Sequence, residues 1–134
     1  VDSGPLVALF DKDDRFHADA LRFIQRLKGR AVANLAVVTE VSYLLDFSRQ
    51  AQFDFWQWVR NGALVLIEPE AADWDRLLEL LRKYADRPMD FTDATLVALC
   101  ERLGTRDIAS VDSDFTVYRY RNRQPFRNLF FDNA

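Results

Sequence analysis

Five apolar residues in an unbroken run, Ala63-Leu64-Val65-Leu66-Ile67, constrain this chain more than any other feature. A bilayer span takes roughly 20 such residues, so the run is far too short for a membrane. With no polar alternation it reads as a strand covered on both faces, the kind found in parallel sheets with helices packed above and below. The flanking periodicity agrees. Helices are expected over Leu6–Phe10, Phe16–Leu27, Val38–Phe47, Phe53–Asn61 and Glu70–Tyr84, with a sixth running from Asp90 or Thr92 to Leu103. Ser3 is the expected N-cap of the first, with Pro5 in its first turn, and Asp13 or Asp14 caps the second. Gly29, Gly62 and Gly104 end helices, and Pro88 breaks the chain. Inward faces are expected at Ala20, Leu21, Ile24 and Leu27, and at Trp74, Leu77, Leu78 and Leu81. Besides the apolar run, short strands are expected at Val1-Asp2, Arg30–Ala33, Ile108–Val111 and Asn128–Phe131.

Strands alternating with helices make the fold class α/β: a three-layer sandwich with a short central parallel sheet of four or five strands flanked by helices. The 134 residues contain no repeat and no Gly/Ser linker, so one domain over residues 1–134 is expected. The chain opens at Val1 without a basic-then-apolar leader, so a start residue or short leader is expected to have been removed. A lone cysteine, Cys100, rules out an internal disulfide and fits a reducing, cytoplasmic setting.

Open parallel sheets bind ligands at the carboxyl ends of their strands, and acids gather there. Asp2 ends the first strand, and Asp112 and Asp114 follow the strand that ends at Val111. Glu40 and Asp93 fall in the first turns of two helices, on faces that look apolar. Asp93 is in register with Val97 and Cys100, and Glu40 with Leu44 and Phe47. A carboxylate on an inward stripe is costly unless paired or bound to a metal. Each acid also has a plain structural reading: a turn residue, a cap, or a favourable charge at a helix N-terminus. Asp90 in particular reads as the cap of its helix. What outweighs these readings is that no Lys or Arg lies within Val1–Leu9, Val37–Asp46 or Met89–Leu96 to neutralise the group locally. Crowded carboxylates raise one another's pKa unless a cation sits between them. Oxygen-only ligands select a hard ion, Mg²⁺ or Mn²⁺, which activates water and shields phosphate oxygens in phosphodiester hydrolysis.

These residues carry a resemblance. Asp2-Ser3-Gly4-Pro5-Leu6-Val7-Ala8-Leu9, Thr39-Glu40-Val41, Pro88-Met89-Asp90-Phe91-Thr92-Asp93-Ala94 and Ser110-Val111-Asp112-Ser113-Asp114-Phe115 follow one another as in the PIN-domain ribonucleases of the VapC toxin type. The resemblance spans nearly the whole chain. It implies a PIN-like fold and a Mg²⁺- or Mn²⁺-dependent endoribonuclease, with Asp2, Glu40, Asp93, Asp112 and Asp114 as the catalytic acids. Asp2, Asp93, Asp112 and Asp114 are then the metal ligands, and Ser3, Ser110 and Asp90 stand behind them. It also implies an RNA substrate, a homodimer, and an antitoxin partner for a toxin of a toxin–antitoxin pair.

A net charge of −3 argues at first against nucleic acid, but the 18 basic residues are 15 Arg and 3 Lys, and Arg is the better bidentate phosphate ligand. The stretch Tyr118 to Arg127 interleaves Arg with aromatics. It offers Arg119, Arg121 and Arg123 as RNA contacts, or else forms a solvated hairpin or edge. The single histidine, His17, leaves no Ser-His-Asp triad and is assigned to capping or packing. A phosphorelay receiver would need a Lys after a late strand, where Lys12, Lys28 and Lys83 do not fall. A haloacid-dehalogenase-type phosphatase would need an Asp where Gly4 stands. The alternative that survives is a catalytically silent PIN-like module for RNA binding or protein interaction.

Overall fold

A computed structural model of the chain describes residues 1–87 and 89–131. The chain break expected at Pro88 lies outside the described residues. Six α-helices are described: α1 (Ser3–Phe10), α2 (His17–Arg26), α3 (Leu35–Leu44), α4 (Arg49–Arg60), α5 (Trp74–Lys83) and α6 (Phe91–Leu103). The strands are short: β1 (Ala31–Ala33), β2 (Leu64–Leu66), β3 (Asp107–Ile108), β4 (Arg119–Tyr120), β5 (Gln124–Pro125) and β6 (Arg127–Asn128). β1 pairs with β2 in parallel, Val32 opposite Val65, and β3 pairs in parallel with β6, Ile108 opposite Asn128. The two pairs meet at the first residues of the chain, where the Val1 nitrogen donates to Val32 O and Asp2 N donates to Ala109 O. A cavity of about 200 Å³ lies beneath Val1, between Phe23 and Leu27 on one side and Leu96, Leu99 and Cys100 of α6 on the other.

The largest buried cluster joins Leu6, Val37, Val41, Leu45, Phe55, Leu77, Leu80 and Val97, side chains drawn from α1 and α3 to α6. A second cluster holds Ala8, Ala20 and Phe23 against Ala109 and Phe130. α6 is buried along most of its length and carries no strong polar face, so it is the helix that fills the centre. Asp90 caps its N-terminus, and Gly104 ends it at φ 70°, where a glycine needs no Cβ accommodation.

Several boundaries differ from the sequence expectation: Val1-Asp2 forms no strand, β3 ends at Ile108 and β6 at Asn128, and the helix starts at α1, α3 and α4 shift for a capping reason. α1 starts at Ser3 because Asp2, not Ser3, is its N-cap. α2 has no side-chain cap. Asp14 instead accepts from Phe16 N just ahead of the helix, and Asp13 is exposed. α3 begins at Leu35, three residues earlier than expected, since Asn34 accepts from Val37 N; α4 begins at Arg49, capped by Ser48 on Ala51 N. A 3-10 turn at Ala71–Asp73 precedes α5. Leu21, Trp74 and Leu78, expected inside, are exposed; Ala20 and Leu77 are buried as expected, and Phe23 and Leu80 join them inside. Leu66 is partly exposed, so the apolar run of β2 is covered fully only at its start. The segment after Tyr118 is an antiparallel hairpin of β4 and β5, whose tip residues Arg121 and Asn122 have φ 50° and 63°.

Candidate active site

Asp2 reaches its position because the Val1 nitrogen and its own N–H are pinned to Val32 O and Ala109 O, and because its own side chain starts α1. Its Oδ1 accepts from Ser3 N at 2.8 Å and its Oδ2 from Ser110 Oγ at 3.2 Å. The same Ser110 hydroxyl lies 3.2 Å from Asp112 Oδ1. One hydroxyl with a single proton thus stands between two carboxylates from opposite ends of the chain. Ser3 Oγ donates to Glu40 Oε1 at 2.9 Å, which ties half-buried Glu40 of α3 to the start of α1.

Asp93 sits in the first turn of α6, its N–H donating at 2.8 Å to the Asp90 side chain, and its Oδ2 accepts from the Tyr118 hydroxyl at 2.8 Å. Asp2 and Asp93 are only 5% and 8% exposed. Burial pushes the Asp2 carboxyl up to about 6, helped by the charges of Asp112 and Glu40. Asp93 is pushed up to about 8, again mainly by burial, with Asp90, Asp2 and Asp112 adding repulsion while the Tyr118 bond pulls the other way. Asp114 opens a 3-10 turn at Asp114–Thr116 and is raised by burial and by its neighbours Asp112 and Asp90. The five acids therefore lie in one another's fields. Among the described residues no Lys or Arg forms an ion pair with any of them. Nor, among the described residues, do three Asp, Glu, His or Cys side chains close into a set that would hold a metal ion unaided.

Glu40 corrects the sequence argument that placed it. α3 starts early, so Glu40 is its sixth residue rather than one of its first turn. The face it was expected to share is open to solvent, with Leu44 47% and Phe47 62% exposed. Glu40 faces the acids through Ser3, not through apolar packing. Asp93 does share a buried face with Val97 and Cys100.

The three arginines do not gather with the acids. Arg119 Nη1 donates to Thr116 O and Tyr118 O. Arg121 N donates to Glu101 Oε2 and its Nη2 to Glu101 O, at the far end of α6, about 12 Å along the helix axis from Asp93. Arg123 is exposed, and its side chain makes no hydrogen bond, ion pair or ring contact among the described residues. His17 Nδ1 lies 2.7 Å from Ala8 O, a packing contact between α2 and α1, and Cys100 is a buried thiol raised to about 11 by burial.

Tyr118 carries no local signal in the sequence, where it reads as one aromatic among several. Its role emerges only when Asp114, four residues before it, and Asp93, 25 residues before it, are seen in space. Asn34 was equally hidden. Besides capping α3 it donates to Thr95 Oγ1 at 3.0 Å, and so joins α3 to α6 behind the acids.

The PIN domain family model matches residues 1–119. Ribonuclease VapC26 of Mycobacterium tuberculosis is 28% identical over 114 residues, 84% of this chain and 84% of that protein. Among solved structures, Mycobacterium tuberculosis VapC20, described as a sarcin-ricin loop cleaving toxin, aligns with a TM-score of 0.80 at 21% identity. That alignment covers 92% of this chain and 97% of VapC20 and speaks for the fold. Only residues 120–134, which take in the β4–β5 hairpin apart from Arg119 and the segment after it, fall outside the family match, and on that extent the chain belongs to the PIN-domain family.

Proposed function

We propose that this chain is a metal-dependent endoribonuclease of the VapC toxin type, which hydrolyses RNA phosphodiester bonds at the cluster formed by Asp2, Glu40, Asp93, Asp112 and Asp114. The observation that carries the reading is a pair of buried carboxylates, Asp2 and Asp93, with raised pKa values and no basic partner among the described residues. Buried acids in structural roles are normally neutralised by a neighbour, and these are not.

The donor set suits a hard ion. It is all oxygen, and Mg²⁺ commonly takes one or two protein carboxylates directly and keeps several waters, so a full protein cage is not required. Asp2, Asp93, Asp112 and Asp114 are the residues that would hold Mg²⁺ or Mn²⁺. The chemistry such an ion supplies when bound is a water of lowered pKa and shielding of the phosphate oxygens. Ser110 orients Asp2 and Asp112 through one hydroxyl, and Asp90 fixes the first turn of α6 beneath Asp93. Glu40, with Oε1 engaged by Ser3, keeps Oε2 to take a proton from the attacking water.

VapC26 and VapC20 bear the names of a ribonuclease and a toxin, and this chain is proposed to act likewise on RNA, with a cognate antitoxin covering the acids and a second copy completing a homodimer. No described helix is long and apolar enough to cross a membrane. We place the protein in the cytoplasm, where its RNA targets are and where Cys100 stays a free thiol.

The test is cleavage of a structured RNA by purified protein. Activity lost in EDTA, restored by Mn²⁺, and absent from Asp93→Asn supports the proposal. Asn at 93 cutting as fast as the parent would remove it in favour of a silent RNA-binding module.

A further inference from the structure

Tyr118 belongs to neither the acid cluster nor the hairpin, yet it touches both ends of the site. Its side chain is fully buried, and its ring packs edge-on between Tyr84 and Phe115, with centroids 5.0 and 5.1 Å away. Phe115 in turn meets Phe126 at 5.8 Å, and Tyr84 accepts a hydrogen bond from Arg119 N at 3.0 Å, so the backbone beside the ring is held as well. From this fixed ring the hydroxyl donates to Asp93 Oδ2 at 2.8 Å. The Tyr118 N–H donates to Asp114 O, at the start of the 3-10 turn that carries Asp114. One residue therefore bonds to the Asp93 carboxylate on α6 and to the backbone oxygen of Asp114 on the loop after β3.

Resting on the nuclease reading above, we infer that Tyr118 is a positioning residue that fixes the Asp93 carboxylate and its spacing from Asp114 for the divalent ion. With Oδ2 held by the phenol, Asp93 Oδ1, which has no hydrogen-bond partner among the described residues, is left as the oxygen that would hold a divalent ion. A carboxylate already oriented loses less rotamer freedom on binding than one that turns freely. Outer partners of metal ligands typically change affinity by about 10- to 100-fold when removed. The sequence marks none of this, since the contact spans 25 positions and the ring sits in a segment rich in other aromatics.

The test is Tyr118→Phe, which keeps the ring and removes only the oxygen, with Tyr120→Phe as its control. Free Mn²⁺ is followed by electron paramagnetic resonance, and cleavage is followed as a function of Mg²⁺ concentration. The expected result for Tyr118→Phe is a loss of about tenfold or more in Mn²⁺ affinity, with the half-activating Mg²⁺ concentration rising by a similar factor. The rate at saturating metal should recover most of the parent value. Tyr120→Phe, which loses a hydroxyl from the same aromatic cluster, should bind Mn²⁺ as the parent does. Equal affinity in Tyr118→Phe and the parent overturns the inference. So does an equal loss in both variants, or a Tyr118→Phe chain that fails to fold, because each makes the hydroxyl a bond of the fold alone. Full cleavage by Asp93→Asn, by contrast, would refute the nuclease reading itself and is seen independently of Tyr118.

Discussion

The two ends of α6 carry acids in opposite circumstances. At the C-terminal end Glu101 accepts two bonds from Arg76, both at 2.8 Å, and a third from Arg121 N. Lys83 and Arg76 also reach Asn122 at the hairpin tip, so this end is a neutralised network that fastens α5, α6 and the hairpin together. At the N-terminal end Asp93 is more deeply buried but receives only a backbone-oriented cap and a neutral phenol, and its pKa rises to about 8. One acid holds the fold together and the other strains against it. A buried carboxylate without a cation is a cost to the metal-free protein, and that difference separates a site from a brace on the same helix.

The largest effect expected from this contrast is on cleavage. Asp93→Asn should lower the rate by about 100-fold or more, whereas Glu101→Gln should leave the rate at saturating Mn²⁺ within a factor of a few; a rate assay on the two variants side by side separates them. Next comes stability against pH. An acid whose folded pKa lies above its ordinary value of 3.8 stabilises the fold fully below that value and loses the contribution as pH rises through about 6 for Asp2 and about 8 for Asp93. The melting temperature of the metal-free protein should therefore fall by several degrees between pH 5 and pH 8.5, and Asp93→Asn should flatten the upper half of that fall. A parent curve that rises across this window contradicts the burial of uncompensated charge.

How much of this was legible beforehand depends on the range of the interaction that decides each feature. The end of α6 at Gly104 and its cap at Asp90 are local, and both stand in the sequence. The alternation of helices and strands is local as well, and it led to the parallel layers and to the carboxyl edge at which Asp2, Asp112 and Asp114 are expected, while Asp93 was reached through its register with Val97 and Cys100. The starts of α3 and α4 were misplaced because Asn34 and Ser48 cap helices whose first residues look like loop, and the choice between Ser3 and Asp2 as a cap turns on which oxygen can reach a backbone N–H. Glu40 was reached by a mistaken route, since the apolar spacing of Leu44 and Phe47 says nothing about which side of α3 meets solvent. Tyr118 and the Glu101–Arg121 contact join residues 20 or more positions apart, and no window of sequence contains them.

A third prediction concerns the brace. Glu101→Gln removes the charge from a largely buried pair and should lower stability by about 1–3 kcal/mol, measured by denaturant unfolding; no change would mean that the hairpin contacts suffice without it. The fourth concerns Gly4 in the first turn of α1, just after Asp2. A Cβ on Gly4 would lie 2.3 Å from Val111 Cγ2, next to Ser110 and Asp112, so Gly4→Ala should cost about 1–3 kcal/mol and raise the metal concentration needed for cleavage. The smallest effect is expected at Arg121→Ala, whose guanidinium lies at the braced end; RNA cleavage should change by less than about threefold, because that residue works on Glu101 and not at the acids.

Thermal melts at pH 8 in EDTA and in excess Mn²⁺, for the parent and Asp93→Asn, test the central claim most directly. At a hundredfold excess of ion over its dissociation constant the parent should gain about 2.7 kcal/mol, seen as a rise of several degrees. The Asn variant should start higher in EDTA and gain little. A parent that Mn²⁺ does not stabilise, or an Asn variant stabilised as much as the parent, would contradict an ion held by these acids.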